Sequence, residues 1–337
     1  MAVRDDEVPG PRPVMTVVVP SYQRRDDLLA LLADLDTAIQ PDHRVEVLVV
    51  LDGSTDGSRE ALLATDVGFP LRWHWQANGG RSAARNTGLR LALGRVCWFV
   101  DDDMRVDRAA LEAHLAFHDP APHDLGFDDP AFDDPAFDDP ASCARVLLGP
   151  QWESTEGFAT TPQFSRRIER LGRCGTVEDP QDFWTGSMSV PRSTLLDLGG
   201  FDESFVGWGA EDVELGFRLS KAGVPVHFDL AAGGHHVRDR HPSIAIGEAR
   251  ELGRNLVRLC ALHPEASTRL YRAAGPIVRL HDRNLRSPAV YGSIARVSAL
   301  ALRVGPVRSS NLGERFRRVG MSAGLLAGVL AAGGSER

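Results

Sequence analysis

Five mostly apolar residues, Val96-Cys97-Trp98-Phe99-Val100, run straight into three aspartates, Asp101, Asp102 and Asp103. An apolar run this short, bounded by polar residues, predicts a buried strand. The carboxylates then stand just past its C-terminal end, the edge where open α/β sheets bind ligands. Three adjacent acids repel one another and resist desolvation unless something positive joins them. A hard divalent cation carrying phosphate oxygens would do so. A solvated acidic turn or a helix N-terminus, where Asp is common, is the other reading of this stretch alone.

The flanking sequence supplies the sheet. Met15–Pro20 is a β-branched run that predicts a first strand ending at Pro20, which cannot donate to a ladder. Ser21–Arg24 reads as a turn. Leu28, Leu31, Leu32, Leu35 and Ile39 then fall on one helical face. Val45–Leu51 predicts a second strand that ends at Asp52. Two strands joined by a helix form a βαβ unit and so a parallel sheet. Asp52 at the end of that second strand suits a ribose or base contact. The alternative is a plain helix cap by Ser54 or Thr55. Leu71–Gln76 predicts a third strand. Asn78–Gly88 is a Gly loop opening a helix, whose amides and small residues can approach phosphate. Arg81 and Arg85 lie one turn apart on it, as phosphate partners or as a surface pair.

Residues 107–118 predict a helix. Phe127-Asp128-Asp129-Pro130-Ala131 then repeats at 132–136 and 137–141. Proline in every repeat excludes helix and central strand, so a flexible surface loop is expected. Ala144–Leu148 predicts a strand, Phe183–Val190 another, Arg192–Leu198 a short helix, and Val224–Leu230 a last strand. Glu211 and Asp212 open a helix after a Gly-Trp-Gly loop. His235 and His236 follow a Gly pair, where a His can ligate metal, although a hydrogen-bonded surface His is the commoner case.

From Ile244 onward the pattern is helical and basic, with fifteen Arg against six Asp or Glu, although the whole chain carries −8. Such a tail can face a membrane or an anionic acceptor, or form a solvated helical surface. Aromatic residues are not interleaved with the basic ones, so nucleic acid is not an expected partner. No apolar run has the length of a bilayer span. The first fourteen residues read as a disordered leader with no signal core. The four cysteines are widely spaced, which suggests neither a zinc site nor a disulfide framework; a reducing cytoplasm is expected.

Taken in order, VVVPSYQR (17–24), LDGSTDGS (51–58), NGGRSAARNTGL (78–89), FVDDDM (99–104), WTGSMSVPR (184–192) and GGFDESFVGWGAEDVELGFRL (199–219) resemble the family 2 glycosyltransferases. The last block is similar to the galactosyltransferase-type C-terminal half of that fold. The resemblance implies the α/β GT-A fold over 15–240, a Rossmann-like, mostly parallel central sheet flanked by helices. The low-complexity insert 120–142 interrupts this domain, and a helical C-terminal extension, 241–337, follows it. The resemblance also implies site roles. Pro20, Tyr22 and Arg24 would line the nucleotide pocket, Asp52 would meet the base or ribose, and Arg81 and Arg85 the base and diphosphate. Asp101 would face the ribose or sugar, Asp102 fills the variable middle position, and Asp103 would bind metal with His236, or less favourably His235. Trp184, Gly186, Trp208 and Glu211 would contact sugar or acceptor, and Asp212 would be the catalytic base. The implied activity is inverting transfer of one sugar from a nucleoside-diphosphate sugar, UDP favoured, to a hydroxyl acceptor, with Mn²⁺ or Mg²⁺ as cofactor. A homodimer and peripheral contact of the basic helices with a membrane are compatible with it. A sugar nucleotidyltransferase would need a glycine in the Pro20–Arg24 loop, a non-catalytic binder would lack the acids, and a membrane synthase would show spans.

Overall fold

A continuous β-branched run builds a strand buried on both faces, and β1 (Met15–Ser21) is one. Val17 and Val19 point to one core, Val18 to the other. The structure, a computed structural model, describes residues 12–39, 44–118, 144–153, 162–237 and 242–266, with short stretches at 293, 295–296, 323–329 and 331. The FDDPA repeats and most of the expected leader lie outside the described residues, as do Val290, Ile294 and Val297 of the expected tail helices.

Further strands are β2 (Val45–Asp52), β3 (Leu71–Gln76), β4 (Val96–Val100), β5 (Met104–Arg105), β6 (Val146–Leu148), β7 (Gln151–Glu153), β8 (Ser187–Pro191), β9 (Val226–Phe228) and β10 (Gly234–His236). Helices are α1 (Arg25–Ala38), α2 (Ser58–Ala64), α3 (Arg81–Leu91), α4 (Arg108–His118), α5 (Pro162–Cys174), α6 (Arg192–Asp197), α7 (Glu211–Lys221) and α8 (Pro242–Leu262). The main sheet has seven strands in the order β3-β2-β1-β4-β8-β6-β9. Every pairing is parallel except those of β8 with β4 and β6. Leu28, Leu31, Leu32 and Leu35 of α1 cover one face with Leu111 and Leu115 of α4. Leu89 of α3, Leu195 of α6 and Leu215 of α7 join the core on the other.

Several expectations are corrected. Pro20 does not end β1: the strand runs to Ser21, with Pro20 opposite Val50. Phe183–Gly186 is not strand, because a 3₁₀ turn at Pro180–Asp182 precedes it and β8 starts only at Ser187. Val226–Phe228 is shorter than expected and is not the last strand, since β10 follows. Together β5, β10 and β7 form a second, three-stranded sheet.

The chain divides into two compact units, 1–203 with 215–238, and 204–214 with 239–337. In the second, Leu259 of α8 and Ala323, Leu326 and Ala327 of the helical stretch 323–329 are buried. No described helix is long and apolar enough to cross a membrane.

Candidate functional site

The three aspartates fill a turn between β4 and β5, closed by Met104 N–H donating to Asp101 O at 3.0 Å. The second sheet then fixes the turn's neighbour. In the antiparallel register of β5 and β10, His236 lies opposite Met104, and Val237 N–H donates to Asp103 O at 2.9 Å. His236 Nε2 consequently stands 3.2 Å from Asp103 Oδ1. The backbone ladder therefore brings together the two expected metal-binding residues, 133 positions apart in sequence. His235 is the opposite neighbour in the pleat, faces away from that pairing and is exposed.

Two arginines offset the three carboxylates. Arg85, on α3 and only 2% exposed, places Nη2 2.9 Å from Asp101 Oδ1. It is turned into the protein as the partner of Asp101 rather than outward as a phosphate hook. Arg24, just before α1, places Nη1 2.5 Å from Asp103 Oδ2 and 3.8 Å from both Asp102 Oδ1 and Asp27 Oδ2. Burial lowers the Arg24 pKa, but Asp103, Asp102 and Asp27 outweigh it and hold it above its ordinary value. Asp102 is buried, and its Oδ2 has no hydrogen-bond partner. Burial pushes its carboxyl up to about 7, Arg24 pulling down and Asp103 pushing further up.

Arg24 is aimed by Gln23, which sits in the left-handed region at φ 54°. Gln23 N–H donates to Ser54 Oγ at 3.0 Å, and its side chain exchanges hydrogen bonds with Thr55. These contacts tie the turn after β1 to the loop after β2. Non-glycine residues rarely adopt this conformation unless their surroundings impose it.

Asp52, at the end of β2, is 4% exposed and already engaged. Oδ1 accepts from Gln76 Nε2 and Gly79 N, and Oδ2 from Gly80 N, each at 2.8 Å. Its carboxylate organises the Gly loop that starts α3. Arg81 is half-buried at the first turn of that helix. Pro20 is half-buried and Tyr22, 51% exposed, presents its ring to solvent beside Gln23.

Gly186 packs against the acidic turn. Its carbonyl accepts from Asp101 N, and a Cβ there would fall 1.6 Å from Gln151 Nε2 and 3.2 Å from Asp101 Oδ2. Trp184, expected at the sugar, is instead a core residue. Its indole N–H donates to Gly149 O at 2.8 Å, and Arg167 covers the ring at 4.8 Å. Asn86 went unnoticed in the sequence. Its side chain bonds Phe201 O, Phe201 N–H and Glu203 Oε1, which anchors the Gly199–Glu203 turn to α3. A buried Asn in a helix interior, where its propensity is poor, is the signal that could have found it.

In the second unit, Glu211 is buried and Asp212 half-buried in the first turn of α7, which follows Gly207-Trp208-Gly209-Ala210. Acidic side chains are stabilised at that end of a helix. Trp208 is half-buried.

Asp103 and His236 offer one hard oxygen and one imidazole nitrogen. Among the described residues no group of three or more His, Cys, Asp or Glu forms a complete metal cage. The pair fits a cation whose remaining ligands are phosphate oxygens and water, the usual manner of Mg²⁺.

Residues 16–174 match the family described as glycosyl transferase family 2, and residues 173–237 match the one described as N-terminal domain of galactosyltransferase. Validoxylamine A glucosyltransferase of Streptomyces hygroscopicus subsp. jinggangensis is 30% identical over 275 residues, covering 77% of this chain and 64% of that protein. The uncharacterized glycosyltransferase YfnE of Bacillus subtilis is 25% identical over 258 residues, covering 68% of this chain and 65% of the relative. This chain thus spans just under two-thirds of the length of these curated relatives. In fold it is similar to the mannosyltransferase PcManGT of Pyrobaculum calidifontis, solved in complex with GDP-Man and Mn²⁺. That likeness has a TM-score of 0.58 and 19% identity, over 98% of this chain and 89% of the other. It is also similar to S. aureus TarS 1-349 in complex with UDP, with a TM-score of 0.52 and 17% identity over 96% and 91% of the two chains.

Proposed function

The chain belongs to the family 2 glycosyltransferases, with the GT-A fold, and from that premise we propose that it transfers a single sugar, with inversion, from a nucleoside-diphosphate sugar to a hydroxyl acceptor. The observation that carries this reading is the Asp103–His236 pair, set at 3.2 Å by the β5–β10 ladder beside the Asp101–Asp103 turn. UDP is the favoured nucleotide. The solved neighbours were captured with GDP-Man and with UDP, which supports a nucleotide-sugar donor of this general kind.

Asp103 and His236 would hold Mn²⁺ or Mg²⁺, which when bound supplies Lewis-acid neutralisation of the diphosphate leaving group. Arg24, already at the acidic turn, gives a second positive charge for phosphate oxygens. Asp52, whose carboxylate takes the Gly79 and Gly80 amides, holds the Gly loop and would meet the donor's base or ribose. Tyr22 and Pro20 offer a flat apolar surface to the base. Asp101, kept in place by Arg85, orients the ribose or sugar. Trp208 and Glu211 contact sugar or acceptor.

In the transfer, the acceptor oxygen forms a bond to the anomeric carbon while the bond from that carbon to the β-phosphate oxygen breaks. The acceptor proton passes to the Asp212 carboxylate, and the electron pair leaves with the nucleoside diphosphate. With Asp212 as base and no side chain assigned as nucleophile, the reaction proposed is a single displacement. We place the enzyme in the cytoplasm and propose an anionic acceptor or the inner membrane face as partner of the net-positive sequence after Ile244. Sedimentation with anionic vesicles checks the second alternative.

Proton NMR of the first-formed product, from a sugar nucleotide of known anomeric configuration, tests the mechanism. The opposite configuration is expected, and Asp212→Asn should lower kcat at least 100-fold while leaving nucleotide affinity within threefold. Retained configuration, or an Asp212→Asn enzyme with full turnover, overturns the assignment.

A further inference from the structure

The loop that precedes Asp212 is strained. Gly207 and Gly209 have φ of 83° and 91°, and Ala210, a non-glycine, has φ 73°. A left-handed alanine persists only where its surroundings over-determine it. Here those surroundings come from one face of α8. Glu251 Oε2 accepts from Trp208 N–H at 2.9 Å. One turn on, Asn255 directs Nδ2 at Gly209 O, 2.8 Å away, with Val206 O at 3.3 Å and Trp208 O at 3.4 Å. A further turn on, Arg258 covers the Phe205 ring at 5.6 Å. Just beyond the helix end, His263 Nε2 meets Glu214 Oε1 at 3.3 Å, both buried. Residues 251, 255 and 258 follow the i, i+4, i+7 spacing of a single helical face.

The cost of this arrangement is informative. Asn255 is 5% exposed in a helix interior, where asparagine is a poor helix former and a buried amide must be fully bonded. An aliphatic side chain would pack there without either penalty, but could not bind three carbonyls. The glycines allow the close approach. A Cβ on Gly207 would fall 2.7 Å from Glu251 Oε2, and one on Gly209 would fall 2.9 Å from Leu252 Cδ1. The loop and the helix face are therefore matched to one another.

We propose that Glu251 and Asn255 are positioning residues that clamp the Val206–Ala210 turn and so fix the first turn of α7, where Glu211 and Asp212 stand. The inference rests on the assignment of Asp212 as base and Trp208 as a substrate contact. The clamp itself can be measured without turnover.

The test compares Asn255→Ala, Glu251→Ala and Glu251→Gln with the wild-type chain. Glu251→Gln keeps an oxygen acceptor for Trp208 N–H and serves as the rescue. Amide hydrogen exchange over residues 204–214, read by mass spectrometry, should accelerate at least tenfold in the two alanine variants and stay near wild type in Glu251→Gln. With a sugar nucleotide that the wild type turns over, kcat should fall 10- to 100-fold in the alanine variants, and UDP affinity with Mn²⁺ should change less than threefold. If Asn255→Ala does not fold, Glu251→Ala decides. Unchanged exchange overturns the clamp, whether or not any donor is turned over. Accelerated exchange with undiminished kcat overturns positioning. Failure of the wild type to use any sugar nucleotide would count against the transferase reading, and the exchange result would still decide the clamp.

Discussion

Arg24 shows how one side chain balances the site. It sits 2.5 Å from Asp103, and with Arg85 it leaves three carboxylates facing two guanidinium groups. Removing one partner of a buried pair costs about 3–5 kcal/mol, and since Arg24 is a quarter exposed the lower end is expected for Arg24→Met. Mn²⁺ should then raise the thermal midpoint of the variant more than that of the wild type, because a cation replaces the missing charge. Equal Mn²⁺ effects on the two proteins would contradict this balance. Asp52 gives a second case. Asp52→Ala strands the amides of Gly79 and Gly80. Hydrogen bonds to charged groups contribute roughly 1.5–3 kcal/mol each, so a loss of about 3–6 kcal/mol is expected in urea unfolding. At this scale the acids were readable from their place after a strand. The partners were not: nothing in sequence spacing pairs Arg85 with Asp101, and Trp184 has the composition of a sugar platform yet is packed into the core.

Elements carry the buried polar network behind the acidic turn. His114 and His118 of α4 meet β8. His114 Nδ1 lies 2.7 Å from Ser189 Oγ, its Nε2 lies 2.9 Å from Ala232 O, and His118 Nε2 lies 2.8 Å from Ser189 Oγ. Ala232 precedes β10, so α4, β8 and the strand bearing His236 are joined. Burial is the main cause that pushes both imidazoles down to about 3 from an ordinary 6.5. Their charge repulsion with neighbours adds to it, from His118 on His114 and from Arg145 on His118. Below pH 6.5 the unfolded chain takes up protons on these groups that the folded chain refuses. Stability is therefore present above 6.5 and lost as pH falls toward 3, by about 1.4 kcal/mol per pH unit for each imidazole. Asp102, raised to about 7, works in the opposite direction but equally in a His118 variant. Urea unfolding from pH 6.5 to 4 should show a shallower fall in His118→Gln than in wild type; parallel curves would contradict the assignment. The long strands and α1 were legible because their apolar periods run for five residues or more. Strands β5, β7 and β10 have two or three residues, too few for a period to show. Their pairing is non-local, and it is what sets His236 beside Asp103.

At the scale of the whole molecule, the order of motifs made the fold legible, although each motif alone was weak. Strand order, mostly parallel pairing and the acidic turn at the C-terminal end of β4 agree with that reading. Less was legible beyond residue 240. Amphipathic spacing predicted helix there, and α8 is one, but that spacing carries no signal for Glu251 and Asn255 as partners of a distant loop. Only the positive-φ loop at 207–210 reveals why polar residues stand on that face. Asp103 and His236 are proposed to form a metal-assisted site for a nucleoside diphosphate. The most direct test of that site is isothermal titration of the chain with UDP, dTDP and GDP, each with Mn²⁺ and with EDTA, beside the His236→Ala variant. One nucleotide should bind with Mn²⁺ and lose at least tenfold in affinity with EDTA, and His236→Ala should reproduce that loss with Mn²⁺ present. Binding that is equally tight with EDTA, or unaffected by His236→Ala, would contradict the account.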